Sequence, residues 1–470
     1  MKYLVIFLSV IALFSGCSTP TPPLKLHPDN PHYFLFRGKP TVLIGSTEHY
    51  GAVLNLDFDY IKYLDEVAAS GLNITRTFSG IYLEPQGAFN ISHNSMAPDT
   101  GRSICPWTRS NEPGYALGGN KFDLDQWDEA YFNRLKDFIS EAGKRNIIVE
   151  LDLFSNFYDT IQWKLSPVNY RNNINRLPVI DDQKEVLSLR HSELLAIQEK
   201  MVRKIIMELN GFDNLYYEVC NEPYFGDLQA LHEWEKHMTA VVVDAEKDLP
   251  NKHLISNNIG NGTVKVEKPN DGVSILNFHY AKPPESVGLN YHFNIAIGDN
   301  ETGFRGIEDV HYRTEAWEFM TAGGALYNNL DYSFTVGHED GTFEVVQGQP
   351  GGGGKNLRNQ LKIMAGVFSE LDFINMKPDS SVLQSISDSG SIRILAGKSE
   401  YLAYIQNPAT KLQPGKTEFV LNLPNGNYNG QWIDTKTGQR KDVRIPVNTD
   451  EVNFTTPEFK EDIALVLKRI

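Results

Sequence analysis

From about residue 41 the chain alternates short apolar runs with longer stretches whose apolar positions recur every three or four residues. The short runs are "TVLIGST" (41–47), "NITRTF" (73–78), "NIIVELDLF" (146–154), "NLYYEVC" (214–220), "HLISNN" (253–258), "VSILNFH" (273–279), "FNIAIGD" (293–299) and "ALYNNLDYSF" (325–334). Their length and β-branched content predict strands, and the stretches between them predict amphipathic helices. "SELLAIQEKMVRKIIMELNG" puts Leu194, Met201, Ile205 and Leu209 on one face and stops at Gly211. "LDQWDEAYFNRLKDFISEAGKRN" behaves alike and ends at "EAG". The crossover at 259–272 lacks a helical pattern, so that unit is degenerate. Eight strand–crossover units predict an α/β fold, a (β/α)8 TIM barrel, rather than an open doubly wound sheet. No G-x-G-x-x-G follows the first strand, which weakens the dinucleotide-binding alternative.

Near residue 376 the pattern changes to strict apolar–polar alternation between Asn-Gly and Thr-Gly turns, as in "SIRILAGKSEYLAYIQ" and "TEFVLNLPNGNYNGQWIDTKTGQ". Such alternation predicts a small C-terminal antiparallel β-sandwich. The chain thus divides into a leader (1–17), a Pro-rich tether (18–30), a barrel (31–375) and a β-sandwich (376–470).

The 470 residues suffice for a large barrel with a second domain, and 41% hydrophobic with 22% charged residues is globular. A net charge of −15 argues against nucleic acid, which needs a basic face, and against docking on anionic lipid through protein charge. The leader "MKYLVIFLSVIALFSGCS" has Lys2, an apolar run from Leu4 to Phe14 too short to span a bilayer, and then small residues. Its end, "LFSGC", resembles a bacterial lipobox, which implies lipidation of Cys17 and a place at the bacterial cell envelope, on an outer-membrane, periplasmic or surface face. Phe14 stands where Leu is usual, and an ordinary secretory signal is the alternative. Cys105 and Cys220 make no disulfide framework, and Cys220 reads as a small buried hydrophobe.

In such barrels active sites form at the C-terminal ends of the strands. Glu222, in "LYYEVCNEPYF", lies just past strand four, and Glu301, in "IAIGDNETGF", just past strand seven. These strands face each other across an eight-strand ring, so their end groups meet over its mouth. Two facing carboxylates, one protonated and one ionised, are what cleavage of a glycosidic bond needs.

The barrel, the "NEP" after strand four and the glutamate after strand seven resemble the clan of retaining glycoside hydrolases that includes the family 5 cellulases, over about residues 30–375. The resemblance implies Glu222 as acid/base, Glu301 as nucleophile, Asn221 at the sugar 2-hydroxyl, and Pro223 stiffening the turn. It implies that Arg76, after "NIT", orients the nucleophile and keeps it ionised, and that His279 and Tyr280 in "FHY" touch nucleophile or substrate. Structural alternatives stay open: a surface helix-terminal acid for Glu222, a core ion pair for Arg76, a satisfied core histidine for His279. Glu48 and His49, at the end of strand one, are candidates for sugar hydroxyls. Glu150 and Asp152 share one side of strand three and read as lumen polar residues. Glu315 and Glu318 fall in "GIEDVHYRTEAWEFMTAGG", the next helix, on its exposed or capping faces.

No tryptophan follows strand eight where the clan carries a stacking one; Tyr332, Phe334 or an aromatic from another loop is the substitute expected. The long connection after strand two, read as lacking regular structure, carries Tyr82, Trp107 and Tyr115 to wall the cleft or cap the barrel. Trp163, Asn169 and Asn172 after strand three are placed on the same rim. "SNEPG" (110–114), "QPGGGGKN" and "GHEDG" match acid, phosphate-loop and metal motifs only superficially.

The sequence therefore predicts a lipid-anchored retaining glycosidase acting on β-linked plant or microbial glycans by double displacement, with neither cofactor nor metal. The C-terminal sheet resembles the collagen-binding-like or sugar-associated domains that follow such barrels, with Trp432 as core or ligand-facing. The alternative is a non-catalytic glycan-binding lipoprotein on the same scaffold; a transglycosylase would use the same residues with another acceptor.

Overall fold

A computed structural model describes residues 22–387, 390–408, 410, 413–449 and 451–470. The leader and Cys17 lie outside the described residues.

All eight predicted strands form: Leu43–Thr47, Ile74–Phe78, Ile148–Ser155, Leu215–Asn221, Ile255–Asn258, Ile275–His279, Ala296–Thr302 and Leu326–Leu330, hereafter strands one to eight. They make one parallel sheet in which strand one pairs with strand eight and the order then descends to strand two. Strands one and two close the ring through a side chain instead of a ladder. Asn73 accepts from the Ile44 amide through Oδ1 (2.8 Å) and donates through Nδ2 to the Val42 carbonyl (2.8 Å), while its own amide donates to Ile44 O (3.1 Å).

Helices cover the sheet after strands one (Tyr60–Ala69), two (Glu129–Lys144), three (Ser192–Leu209), four (Leu228–Glu246), seven (Asp309–Thr321) and eight (Lys355–Ser369). The patterned residues Leu194, Met201, Ile205 and Leu209 are buried as expected. No helix follows strand five among the described residues, so the unit at 259–272 is degenerate.

The barrel interior is polar where branched apolar layers are usual. Arg76, Glu150, Asp152, Glu218, Asn277, Asn300 and Asn328 are all fully buried there. Gly45 and Gly298 make room for this layer, since a Cβ on either would stand 2.4 Å from the Asn328 or Asn277 side-chain oxygen.

Three sequence expectations are corrected. The tether is folded from Leu24, which is buried in the core, and Lys25–Leu26 pairs antiparallel with Phe34–Leu35. The connection after strand two contains a hairpin, Trp107–Pro113 with Asn120–Trp127, so it has regular structure of its own. Glu315 and Glu318 are buried, not exposed. The helix that carries them is sandwiched between the barrel and the C-terminal sheets: Trp317 stacks on Tyr404 (5.7 Å), and Arg313 pairs with Asp462 (2.7 Å) and Glu461 (2.8 Å).

Beyond residue 376 a six-stranded and a three-stranded antiparallel sheet enclose a second core around Ile405, Leu421 and Leu465. Phe419 stacks on Phe454 (5.1 Å), and Trp432 lies edge-on to Phe419 in this core rather than facing a ligand.

Candidate active site

The ends of strands four, six and seven converge on one cleft. Its lining includes His49, Tyr50, Phe78, Tyr82, Glu84, Phe89, Tyr158, Asn221, Glu222, Tyr280, Glu301 and Phe304, around about 380 Å³ of space open to solvent. Glu222 and Glu301 are 6% and 5% exposed. One carboxylate oxygen of each, together with a ring nitrogen of His279, lies within 4.8 Å of the other two.

Four residues of the cleft hold positive φ: Tyr50 (57°), Phe89 (53°), Glu222 (50°) and Tyr280 (56°). Non-glycine residues seldom adopt this conformation, and its cost is borne where it aims a side chain. For Glu222 the turn is fixed by its amide, which donates to Asn258 Oδ1 (2.9 Å) from strand five, and by the Glu222 carbonyl, which accepts from Asn156 Nδ2 (3.1 Å). For Tyr280 the register of strands six and seven shifts after Phe278, so that His279 pairs with Glu301. This bulge turns both side chains to the mouth.

Every carboxylate oxygen of the two glutamates accepts a hydrogen bond. Glu301 takes Tyr280 OH on Oε1 (2.6 Å), and Tyr50 OH (3.0 Å) and Arg76 Nη1 (3.1 Å) on Oε2. Glu222 takes Asn261 Nδ2 (2.9 Å) and His279 Nδ1 (2.9 Å) on Oε1, and Tyr158 OH (2.6 Å) and Tyr224 OH (2.7 Å) on Oε2. Glu222, His279 and Glu301 are donor types that bind divalent metals elsewhere. Here each oxygen is already engaged by an O–H or N–H, an arrangement suited to moving protons.

The two environments differ. Burial opposes ionisation of Glu222, but the His279 hydrogen bond and charge, with the two tyrosines, outweigh it and hold the carboxyl down to about 2. Burial opposes charge on His279 as well, yet Glu301 and Glu222 together raise it above the ordinary imidazole value. The His279–Glu222 pair therefore shares one proton, held beyond the ordinary imidazole value, and its titration belongs to the pair. His279 Nε2 is buried with no partner among the described residues. The pair thus holds a transferable proton against the Glu222 carboxylate on one face of the cleft, while Glu301, beside the Arg76 guanidinium, faces it.

Asn221 completes the frame. Its Oδ1 accepts from Arg76 Nη2 (2.8 Å) and its Nδ2 donates to Tyr158 OH (2.9 Å). Of the other residues expected from the sequence, Arg76, Tyr82, Asn221, His49, His279 and Tyr280 are brought together here, whereas eight stand apart from the cleft lining. Trp107, 1% exposed, stacks on Trp127 (6.1 Å). Trp163, 2% exposed, donates its indole N–H to the Ile180 carbonyl (2.7 Å). A tryptophan on a long loop buries itself where it can, and both do so in the loop's own core. Glu48 is spent on the Gly51 and Ala52 amides (2.9 and 3.0 Å) and the Ser95 hydroxyl, and burial pushes it up to about 7. Tyr332 is buried beneath the loop of Gly351, and Phe334 is buried against Tyr63 and Arg358, so strand eight supplies no open stacking face. Tyr115, Asn169 and Asn172 are likewise buried outside the lining.

Sequence reasoning missed Tyr50, Glu84, Tyr158, Tyr224 and Asn261. Tyr50 and Tyr224 directly adjoin the motifs "EH" and "NEP", the one signal that adjacency could have offered.

No known family model matches this chain, and no curated protein matches it in sequence. Solved structures match it in fold. A glycoside hydrolase family 5 protein from Bacteroides vulgatus ATCC 8482 superposes with a TM-score of 0.63, covering 95% of this chain and 93% of its own, at 12% identity. A second glycoside hydrolase superposes with a TM-score of 0.64, covering 95% and 97%, at 13% identity. Coverage of that extent takes in the barrel and the C-terminal sheets together.

Proposed function

We propose that the chain is a retaining glycoside hydrolase acting on a β-linked plant or microbial glycan. The observation that carries the reading is the approach of Glu222 and Glu301 across the cleft, with carboxylate oxygens within 4.8 Å. Retaining enzymes set their two carboxyl groups about 5–5.5 Å apart, and inverting enzymes leave room for a water at about 6.5–9.5 Å. In the first step Glu301 attacks the anomeric carbon while Glu222, drawing on the proton it shares with His279, protonates the departing oxygen. The C–O bond to the leaving group breaks as the Glu301–carbon bond forms. In the second step Glu222 takes a proton from water, whose oxygen displaces Glu301 and restores the original configuration.

Tyr280, Tyr50 and Arg76 hold Glu301 in one orientation through three donors, which fixes the attack geometry before substrate arrives. The fold shared with glycoside hydrolases supports the reading. The test is a panel of aryl β-glycosides and oligosaccharides with proton NMR on the first product formed. A β-anomer appearing before mutarotation is expected; an α-anomer would exclude double displacement. Glycan binding without any cleavage would favour the non-catalytic reading.

The leader and Cys17 support an anchored form at the bacterial cell envelope, since acyl chains on Cys17 would bury methylenes in the bilayer. Expressed at full length in a Gram-negative host, the protein is expected to partition into detergent, and Cys17→Ala is expected to release it. A Cys17→Ala protein that still partitions there would remove the anchor from the proposal.

A further inference from the structure

The cleft holds a third carboxylate for which the two-step reaction has no use. Glu84 lies on the loop after strand two, 4% exposed, and its amide donates to the Met96 carbonyl (3.0 Å). Tyr82 OH donates to its Oε1 (3.1 Å), Asn94 Nδ2 to its Oε2 (2.5 Å), and His49 Nε2 sits 3.3 and 3.1 Å from the two oxygens. A carboxylate gripped by three side chains is built to keep one orientation. Those partners leave part of its accepting capacity unused, because a carboxylate offers about four lone-pair sites. His49 adds an independent sign of a ligand: its Nδ1 is buried and has no partner among the described residues.

Charge narrows the ligand. Three carboxylates line the cleft, and neither lysine nor arginine is among its lining residues. The nearest guanidinium, Arg76, lies below the floor and is taken by Glu150, Asp152, Glu218 and Glu301. A negatively charged sugar would meet three carboxylates there, with His49, already paired to Glu84, as the one lining group able to carry positive charge.

We infer that Glu84, held by His49, Tyr82 and Asn94, is the specificity-determining residue of the cleft: it accepts a ring hydroxyl of an uncharged glycosyl unit, and the cleft rejects uronic acids. This rests on the hydrolase reading for the identity of the bound unit, and its test is arranged so that the two can fail separately.

The experiment compares 4-nitrophenyl β-glycosides of neutral pentoses and hexoses with the matching uronides, using wild type and Glu84→Gln, with thermal melts to confirm that the variant folds. Uronides are expected to react at least ~100-fold more slowly than the best neutral substrate. Glu84→Gln is expected to lower kcat/KM on that substrate by about 10- to 100-fold, the range for a hydrogen bond to a charged group. The monodeoxy substrate lacking the recognised hydroxyl is expected to lose a similar factor with wild type and nothing further with Glu84→Gln. A uronide cleaved as fast as its neutral partner, or a Glu84→Gln effect within twofold, overturns the inference.

A parallel arm needs no turnover: NMR titration of wild type and Glu84→Gln with neutral monosaccharides and with glucuronate and galacturonate. If wild type cleaves nothing, the hydrolase reading falls. Preferential binding of a neutral sugar, weakened by Glu84→Gln, then still upholds the inference, and equal or tighter binding of a uronate sinks it. Should Glu84→Gln fail to fold, Asn94→Ala, which removes one of the three partners, is expected to weaken the same neutral substrate through KM, and an unchanged KM counts against the assignment.

Discussion

Glu301→Gln is expected to abolish turnover of every substrate, whereas Glu222→Ala is expected to cost least on substrates whose leaving group needs no proton. The asymmetry follows from the two environments. Glu301 is fixed by Tyr280, Tyr50 and Arg76, and the amide of a glutamine in its place offers no nucleophilic oxygen to the anomeric carbon. Loss of a covalent nucleophile costs on the order of 10⁶ in kcat where such losses have been measured. Glu222 acts through proton transfer, which contributes about 10²–10⁴. A dinitrophenyl glycoside, whose dinitrophenolate departs as a stable anion, should therefore still glycosylate Glu301 in the Glu222→Ala protein. The glycosyl-enzyme then accumulates, because water is no longer activated, and mass spectrometry should find the sugar on the peptide bearing Glu301. Azide, entering the space vacated by the carboxylate, should restore turnover and yield the β-glycosyl azide. Two outcomes would reverse the assignment: Glu301→Gln keeping more than about a hundredth of wild-type kcat, or Glu222→Ala losing the same factor whatever the leaving group.

How far the sequence reached depends on what each residue answers to. The eight strands were legible because short β-branched and aromatic runs recur between amphipathic helices, and "NIIVELDLF" and "NLYYEVC" keep an apolar outer face although Glu150, Asp152 and Glu218 line the inner one. Glu222 was legible because an Asn-Glu-Pro turn at the end of such a run fixes where the acid points. Tyr158, Tyr224, Asn261 and Glu84 were not, since each sits on a loop whose path is set by distant partners. Glu84, for instance, owes its place to a backbone bond from its own amide to Met96. The left-handed φ of Tyr50 and Tyr280 has no signature in the residue type; glycine or asparagine would be the usual choice there. Glu315 and Glu318 misled for a different reason. Their helix shows a polar outer stripe, but the C-terminal domain covers that stripe through Trp317 and Arg313, and charge on a helix does not tell whether solvent or a second domain lies opposite. Residue type alone does not tell whether Trp107 walls the cleft or caps the barrel, nor whether Trp163 reaches the rim, and the loops that carry them are thick enough to bury both.

Arg76→Met is expected to destabilise the barrel by about 3–5 kcal/mol at neutral pH, the cost of removing one partner from a buried ion pair, and by progressively less as pH falls. Arg76 is the single cation in a fully buried layer. Its Nε lies 2.8 Å from Glu150, its Nη2 2.7 Å from Asp152 and 2.5 Å from Glu218, and its Nη1 3.1 Å from Glu301. One positive charge cannot balance four carboxylates, and the layer resolves this by keeping protons. Burial, reinforced by the Glu218 charge, pushes Glu150 up to about 8, and burial lifts Asp152 well above its ordinary value. Glu218 differs: burial opposes its ionisation, but Arg76 outweighs burial and brings it below the ordinary carboxyl value. With methionine at 76 that counterweight is gone and burial alone governs Glu218, whose folded-state pKa then exceeds its unfolded one. The folded variant binds more protons than the unfolded chain, so its stability falls as pH rises through the new folded value and recovers as pH drops toward the unfolded one. Against a total stability of about 5–15 kcal/mol, the loss at pH 8 is large enough to see in urea unfolding, and the gap to wild type should narrow steadily at pH 6.5 and 5. A second substitution, Glu218→Gln, should recover part of the loss at pH 8 and little at pH 5. A gap that stays constant with pH, or widens in acid, would mean that Arg76 supports the barrel by packing alone. Activity should not return in acid even where the fold does, because the same guanidinium orients both Glu301 and Asn221.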